Sequence, residues 1–296
     1  MRRRNFLSLP AALAPAAELD DAVRREIRGF EGEVCLYARN LATGAAYGVR
    51  ENERVRTAST IKLPIMAAAF ASVRAGEARW DEPITLREED KVSGSGVLHE
   101  FSGGVKLPLR DLVHIMIVVS DNTATNLVLD RISADAVNGM MDRLGLKETR
   151  SLRKVRGDGA QLQAASGWSK AGLVEENRKY GLGVSTSREM VELLGKLDRG
   201  AVVTAEDSRE MLAILNRQQF KDGIGRKLAR YKVASKSGSL DALRSDVGIV
   251  TTPKGKVAMA ITVDGLKDVD YTEDNAGLLL IARLAPLLVA GLGAEG

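Results

Sequence analysis

Residues 57–75 read TASTIKLPIMAAAFASVRA, and at this stretch the chain changes character. The run after Ser59-Thr60-Ile61-Lys62 is rich in Ala, includes Met66 and lacks strand alternation, which predicts a helix over 57–75. Upstream, residues 34–39 alternate, Leu41-Ala42-Thr43-Gly44 turns, and 45–49 return, a hairpin preceded by an amphipathic helix over 19–29. Downstream come the flexible loop Ser93-Gly94-Ser95-Gly96 and helices over 109–119, 124–132, 134–144, 187–198 and 204–218. Three strands follow over 232–236, 245–251 and 256–263, and an apolar helix over 273–291 closes the chain. Strands at both ends with helices between them predict a mixed α/β fold. An antiparallel sheet is built from both chain ends and flanked by helices, with an all-α domain inserted. The α/β part takes 18–58 plus 219–296, and the all-α part 59–218. Residues 150–185, rich in Gly, Lys, Arg and Ser, predict a long loop with one short helix.

Composition narrows the function. The 296 residues carry 43 basic and 39 acidic side chains, and three of the basic ones are Arg2, Arg3 and Arg4. Without those three the net charge is 40 − 39 = +1. The basic balance thus belongs to the leader and argues against a nucleic-acid partner. Residues 1–17, MRRRNFLSLPAALAPAA, start basic, turn briefly apolar and end in small residues. This order predicts an export signal cleaved after Ala16 or Ala17, and Arg3-Arg4-Asn5-Phe6-Leu7 resembles the twin-arginine pattern. The expected destination is periplasmic or secreted, with no stable membrane insertion after cleavage. Cys35 is the one cysteine, and His99 and His114 are the two histidines. No intramolecular disulfide can form, and a zinc site of His and Cys is close to excluded. Neither a metal nor a cofactor is expected, and a hydrolase here needs a base other than histidine. Cys35 reads as a buried small hydrophobe and His114 as a core histidine.

Three polar groups stand at element edges. Ser59 and Lys62 lie three apart on one helix face, where a desolvated lysine can take the proton of a serine alcohol. Helix N-terminal N–H groups beside Ser59 would suit an oxyanion. Ser120-Asp121-Asn122 follows the apolar run 115–119, and Lys236-Ser237-Gly238-Ser239 ends a strand. There Gly238 would let a substrate approach the backbone.

These three groups, in this order, resemble the serine penicillin-recognising enzymes, and most closely the class A β-lactamases. The resemblance covers most of the chain after the leader. It includes Val118-Val119-Ser120-Asp121-Asn122-Thr123-Ala124-Thr125-Asn126, with Asn126 structural near the site. The resemblance implies that Ser59 is acylated, that Lys62 accepts its proton directly or through water, and that Ser120 relays a proton to the lactam nitrogen. Lys236 would hold Ser120 and the substrate carboxylate electrostatically. Ser237 would hydrogen-bond that carboxylate, and Arg244 would add charge. The N–H groups of Ser59 and Ser239 would form the oxyanion hole, and Asn122 would bind the substrate side-chain amide. The substrate would be a small molecule, a β-lactam or a cell-wall peptide, and the protein a monomer.

One element departs from the family. Its omega-loop glutamate activates the water that frees the acyl-enzyme, six positions after the Thr of Thr-Arg. Here Thr149 plus six is Val155, and counting back from Met190 gives Lys170; neither is a carboxylate. Glu175, Glu176 and Asp158 are the acids left in this segment, with Glu175 and Glu176 the candidates for the base. The readings that follow are a β-lactamase working through a Ser59 acyl-enzyme, a D-Ala-D-Ala peptidase or esterase, and a lactam-binding protein trapped at the acyl stage.

Overall fold

The computed structural model describes residues 14–157, 162–165 and 167–294. In chain order the elements are α1 (Ala14–Ile27), β1 (Glu33–Asn40), β2 (Ala46–Val49), β3 (Arg54–Arg56), α2 (Lys62–Arg74), β4 (Pro83–Thr85) and β5 (Lys106–Pro108). Next are α3 (Leu109–Val118), α4 (Asn122–Ile132), α5 (Ala134–Arg143), β6 (Arg150–Ser151), α6 (Lys170–Leu173) and β7 (Gly183–Thr186). The chain ends with α7 (Ser187–Asp198), α8 (Ala205–Asn216), β8 (Lys232–Leu240), β9 (Leu243–Thr252), β10 (Gly255–Asp264) and α9 (Ala276–Gly291).

The main sheet has the order β2-β1-β10-β9-β8, antiparallel throughout, so the two chain ends meet where β1 pairs with β10. Helices cover both of its faces, which is why β9 is buried along nearly its whole length. The period of two in β10 sorts its side chains. Val257, Met259, Ile261 and Val263 face a core shared with Leu280, Leu284 and Leu288 of α9, whereas Ala258 and Ala260 face the core of α2, α7 and α8. The small alanines let α7 lie close to the sheet. Helix starts are set by side-chain caps: Asp121 accepts from Ala124 N–H, Thr186 from Glu189 N–H and Thr204 from Asp207 N–H.

The inserted segment is not purely helical. It contributes β6 and β7 to a three-stranded sheet β3-β7-β6, and β4 and β5 to a two-stranded ribbon. Residues 150–186 hold β6, α6, a 3-10 turn over Glu175–Tyr180 and β7. Strands of two to four residues carry too little periodicity to stand out in a sequence. Asp158 lies outside the described residues, as do residues 1–13 of the leader. Cys35 is buried in β1, and His114 is half-buried, bonding Arg110 O at 2.8 Å.

Candidate active site

Ser59 sits in a 3-10 turn over Ala58–Ile61 that feeds directly into α2, whose first residue is Lys62. In a 3-10 turn positions i and i+3 eclipse, so both side chains leave the same side. Two non-glycine residues here have left-handed backbone, Ala58 at φ 45° and Ser120 at φ 56°. Such conformations cost of order 1–3 kcal/mol each and persist where surrounding structure imposes them. Around Ser120 the imposing group is Asp121. Its carboxylate accepts from Val97 N–H at 2.6 Å, Leu98 N–H at 2.9 Å and Ala124 N–H at 2.7 Å. The loop over 93–98 is thereby tied to the start of α4.

Two buried lysines meet at one hydroxyl. Lys62 Nζ donates to Ser120 Oγ at 3.2 Å, Ser120 O at 2.6 Å and Asn122 Oδ1 at 2.9 Å. Lys236 Nζ donates to the same Ser120 Oγ at 3.0 Å and to Ser237 O at 2.7 Å. Both lysines are 0% exposed and Ser120 is 4% exposed. Burial, and then the charge of Lys236, push Lys62 well below the ordinary lysine range. Burial also brings Lys236 down to about 7, against the opposing pull of Asp246. A lysine whose basicity is lowered by burial and by a neighbouring lysine is suited to exchange a proton with an alcohol. Lys62 directs its described bonds to Ser120 and Asn122, and none of them to Ser59 Oγ.

Gly238 lies inside β8 rather than at its end. A Cβ there would stand 2.9 Å from Ser59 N and 2.9 Å from Thr57 O. The close approach permitted by this glycine is thus that of the Ser59 turn itself, which brings the strand beside the helix entry. Ser239 is exposed one residue further on, opposite Arg244.

Asn122 uses its amide within the protein, accepting from Lys62 and donating to Ser93 O at 3.1 Å. Arg244 is 1% exposed, donates to Leu243 O at 2.6 Å and to Leu240 O and Asp270 O, and lies 4.8 Å from the Tyr271 ring. It clamps the loop before α9 and is not part of the lysine–serine network. Glu175 and Glu176 are exposed on their turn, and Glu175 pairs with Arg178 at 2.8 Å. Neither has a hydrogen bond or ion pair with Ser59, Lys62, Ser120 or Lys236 among the described contacts. Asn126 instead holds the backbone of Val155 from both sides, at 2.8 Å each.

Two residues of the site were not read from the sequence. Gln218 is buried and bridges Ser235 O and Ser237 Oγ; a glutamine in a turn after a helix gives no signal. Asp246 is fully buried in β9 and accepts Ile224 N–H at 2.9 Å, while its Oδ1 has no hydrogen-bond partner among the described residues. Burial raises it to about 6. An acid inside the otherwise apolar run 246–250 was the available signal.

The family model for the β-lactamase enzyme family matches residues 18–291. A β-lactamase structure from Sphaerobacter thermophilus is 30% identical, with a TM-score of 0.80 over 94% of this chain and 98% of that one. PBP-A, solved as a mutant in an acyl-enzyme complex with penicillin G, shares the fold at 23% identity. Its TM-score is 0.78, covering 94% of this chain and 97% of that one. β-Lactamase L2 of Stenotrophomonas maltophilia is 29% identical over 136 residues, a match spanning 46% of this chain and 43% of that protein. The chain belongs to the β-lactamase enzyme family.

Proposed function

We propose that the protein is a serine β-lactamase of the class A type that opens the lactam ring through an ester on Ser59. The observation that carries this is the convergence of Lys62 and Lys236 on Ser120 Oγ, beside a turn that holds Ser59 against β8. In the proposed step the Ser59 oxygen bonds to the lactam carbonyl carbon, and its proton passes to Lys62, directly or through water. The C–N bond breaks, and the nitrogen takes a proton from Ser120, which recovers one from the lysines. The N–H groups of Ser59 and Ser239 stabilise the oxyanion. Water then hydrolyses the ester and regenerates Ser59.

A specific observation favours a second reading for the last step. Val155 stands six positions after Thr149, the count that the family's water-activating carboxylate keeps, and Asn126 bonds both of its backbone groups. A chain that acylates without such a base is a lactam-binding protein held at the acyl stage, or a peptidase or esterase that deacylates by another route.

Intact mass spectrometry after mixing with a penicillin, and separately with a cephalosporin, tests both readings. A Ser59 adduct that forms and clears supports the β-lactamase. A persistent adduct supports the lactam-binding protein, and absence of any adduct moves the search to D-Ala-D-Ala peptides and esters. An adduct that survives in Ser59→Ala would sink the proposed nucleophile.

A further inference from the structure

We propose that Gln218 is a specificity-determining residue. It takes the one proton of the Ser237 hydroxyl, and so sets which substituent beside the scissile amide the cleft prefers. The proposal rests on the acyl-enzyme reading above.

Gln218 is buried in the turn that follows α8. That turn is anchored at two points: Gln218 N–H donates to Leu215 O at 3.2 Å, and Gln219 N–H to Val118 O at 3.0 Å. It therefore joins the end of α8 to the end of α3, two residues before Ser120. The Gln218 side chain then bridges the residues on either side of Lys236. Its Nε2 donates to Ser235 O at 3.1 Å, and its Oε1 accepts from Ser237 Oγ at 3.3 Å.

Chemistry decides which way round the amide lies. Ser235 O is a carbonyl and can only accept, so the NH2 faces it and the amide oxygen faces Ser237. A serine hydroxyl has a single proton. With that proton directed at Gln218, Ser237 offers the cleft only lone pairs. A substrate carboxylate carries no proton, so binding it there requires the hydroxyl to abandon Gln218, with the loss of one internal hydrogen bond. A primary carboxamide donates N–H to those lone pairs and leaves the Gln218 bond intact. Arg244 does not offset this cost, because its guanidinium is engaged by the carbonyls of Leu240, Leu243 and Asp270.

The experiment compares acylation rates, read by intact mass on the full chain. The two probes are a penicillin and the same penicillin with its carboxylate converted to a primary carboxamide. Gln218→Met removes both bonds at nearly constant volume. It should raise the carboxylate-to-carboxamide rate ratio about five-fold, the equivalent of one ordinary hydrogen bond. The rise should vanish when Ser237→Ala is added, because the coupling runs through that hydroxyl. Gln218→Leu gives the same comparison if the methionine variant does not fold. An unchanged ratio, or a change that persists with Ser237→Ala, overturns the proposal while the acyl-enzyme reading stands. Failure of the unsubstituted protein to acylate with either probe overturns both.

Discussion

Asn126 grips Val155 by both backbone groups: its amide nitrogen donates to Val155 O at 2.8 Å, and its amide oxygen accepts from Val155 N–H at 2.8 Å. The pair fixes the segment that follows Thr149-Arg150 against α4. The side chain it presents is a half-buried valine. Val155→Glu should therefore place a carboxylate where a water-activating base is needed, without disturbing the backbone clamp. The acyl-enzyme lifetime should shorten about 10²-fold, a modest general-base contribution. Time-resolved intact mass after a penicillin pulse measures it, and an unchanged lifetime counts against Val155 as that position.

Asn126→Ala should unfasten the same segment. It removes two hydrogen bonds and leaves the Val155 N–H and carbonyl without their partner, a loss of about 2–3 kcal/mol. Denaturant titration reads the loss, and faster amide exchange at Val155 would locate it. A midpoint within error of the original would contradict the clamp.

Lys236 gives a pH signature in stability. Its folded value is about 7 against an ordinary 10.5, so between these values the unfolded chain binds more protons than the native one. Its burial is therefore most costly at and below about 7, and the cost fades as pH rises toward 10.5. Lys236→Met should be the more stable protein at pH 7. The gap should close as pH rises, with a slope of at most about 1.4 kcal/mol per pH unit. In the unsubstituted protein, acylation that needs a cationic Lys236 should fall as pH rises through about 7. A pH-independent gap would refute the depressed value.

Gly238→Ala should separate β8 from the Ser59 turn. The added Cβ meets backbone atoms, Ser59 N and Thr57 O, each at 2.9 Å, and backbone yields less readily than the end of a side chain. The expected cost is about 1–3 kcal/mol in stability. Acylation should slow by about 10²-fold through misplacement of Ser59. Thermal unfolding and the acylation rate test the two effects separately, and a variant with unaltered acylation would show that the contact does not position the serine.

Arg244→Met should act on stability. The guanidinium is buried and holds the carbonyls of Leu240, Leu243 and Asp270, and removing it should cost about 3 kcal/mol. Limited proteolysis should then cut within 265–275 sooner. Equal protease resistance would mean that the loop is held by other contacts, such as Asn275 Nδ2 to Asp270 O at 2.9 Å.

The sequence by itself determined the order of the longer helices and of the five strands of the main sheet, the meeting of the chain ends in that antiparallel sheet, and Ser59, Lys62, Ser120 and Lys236 as candidate polar groups. Those features are local, because hydrophobic period, turn chemistry and short spacing are written within a few neighbouring residues. Tertiary structure alone decided what these groups touch. Lys62 reaches Ser120 across 58 residues of chain and Lys236 reaches it across 116, and no local pattern records such distances. The same holds for Arg244, whose charge suggested a ligand contact but whose burial turned it toward carbonyls. It holds for Asn122, engaged by Lys62 and Ser93, and for Glu175 and Glu176, left exposed on their turn. Gln218 and Asp246 acquire meaning only because β8 and β9 pack against the turn after α8, where burial turns an ordinary amide and carboxylate into groups with few partners to choose from.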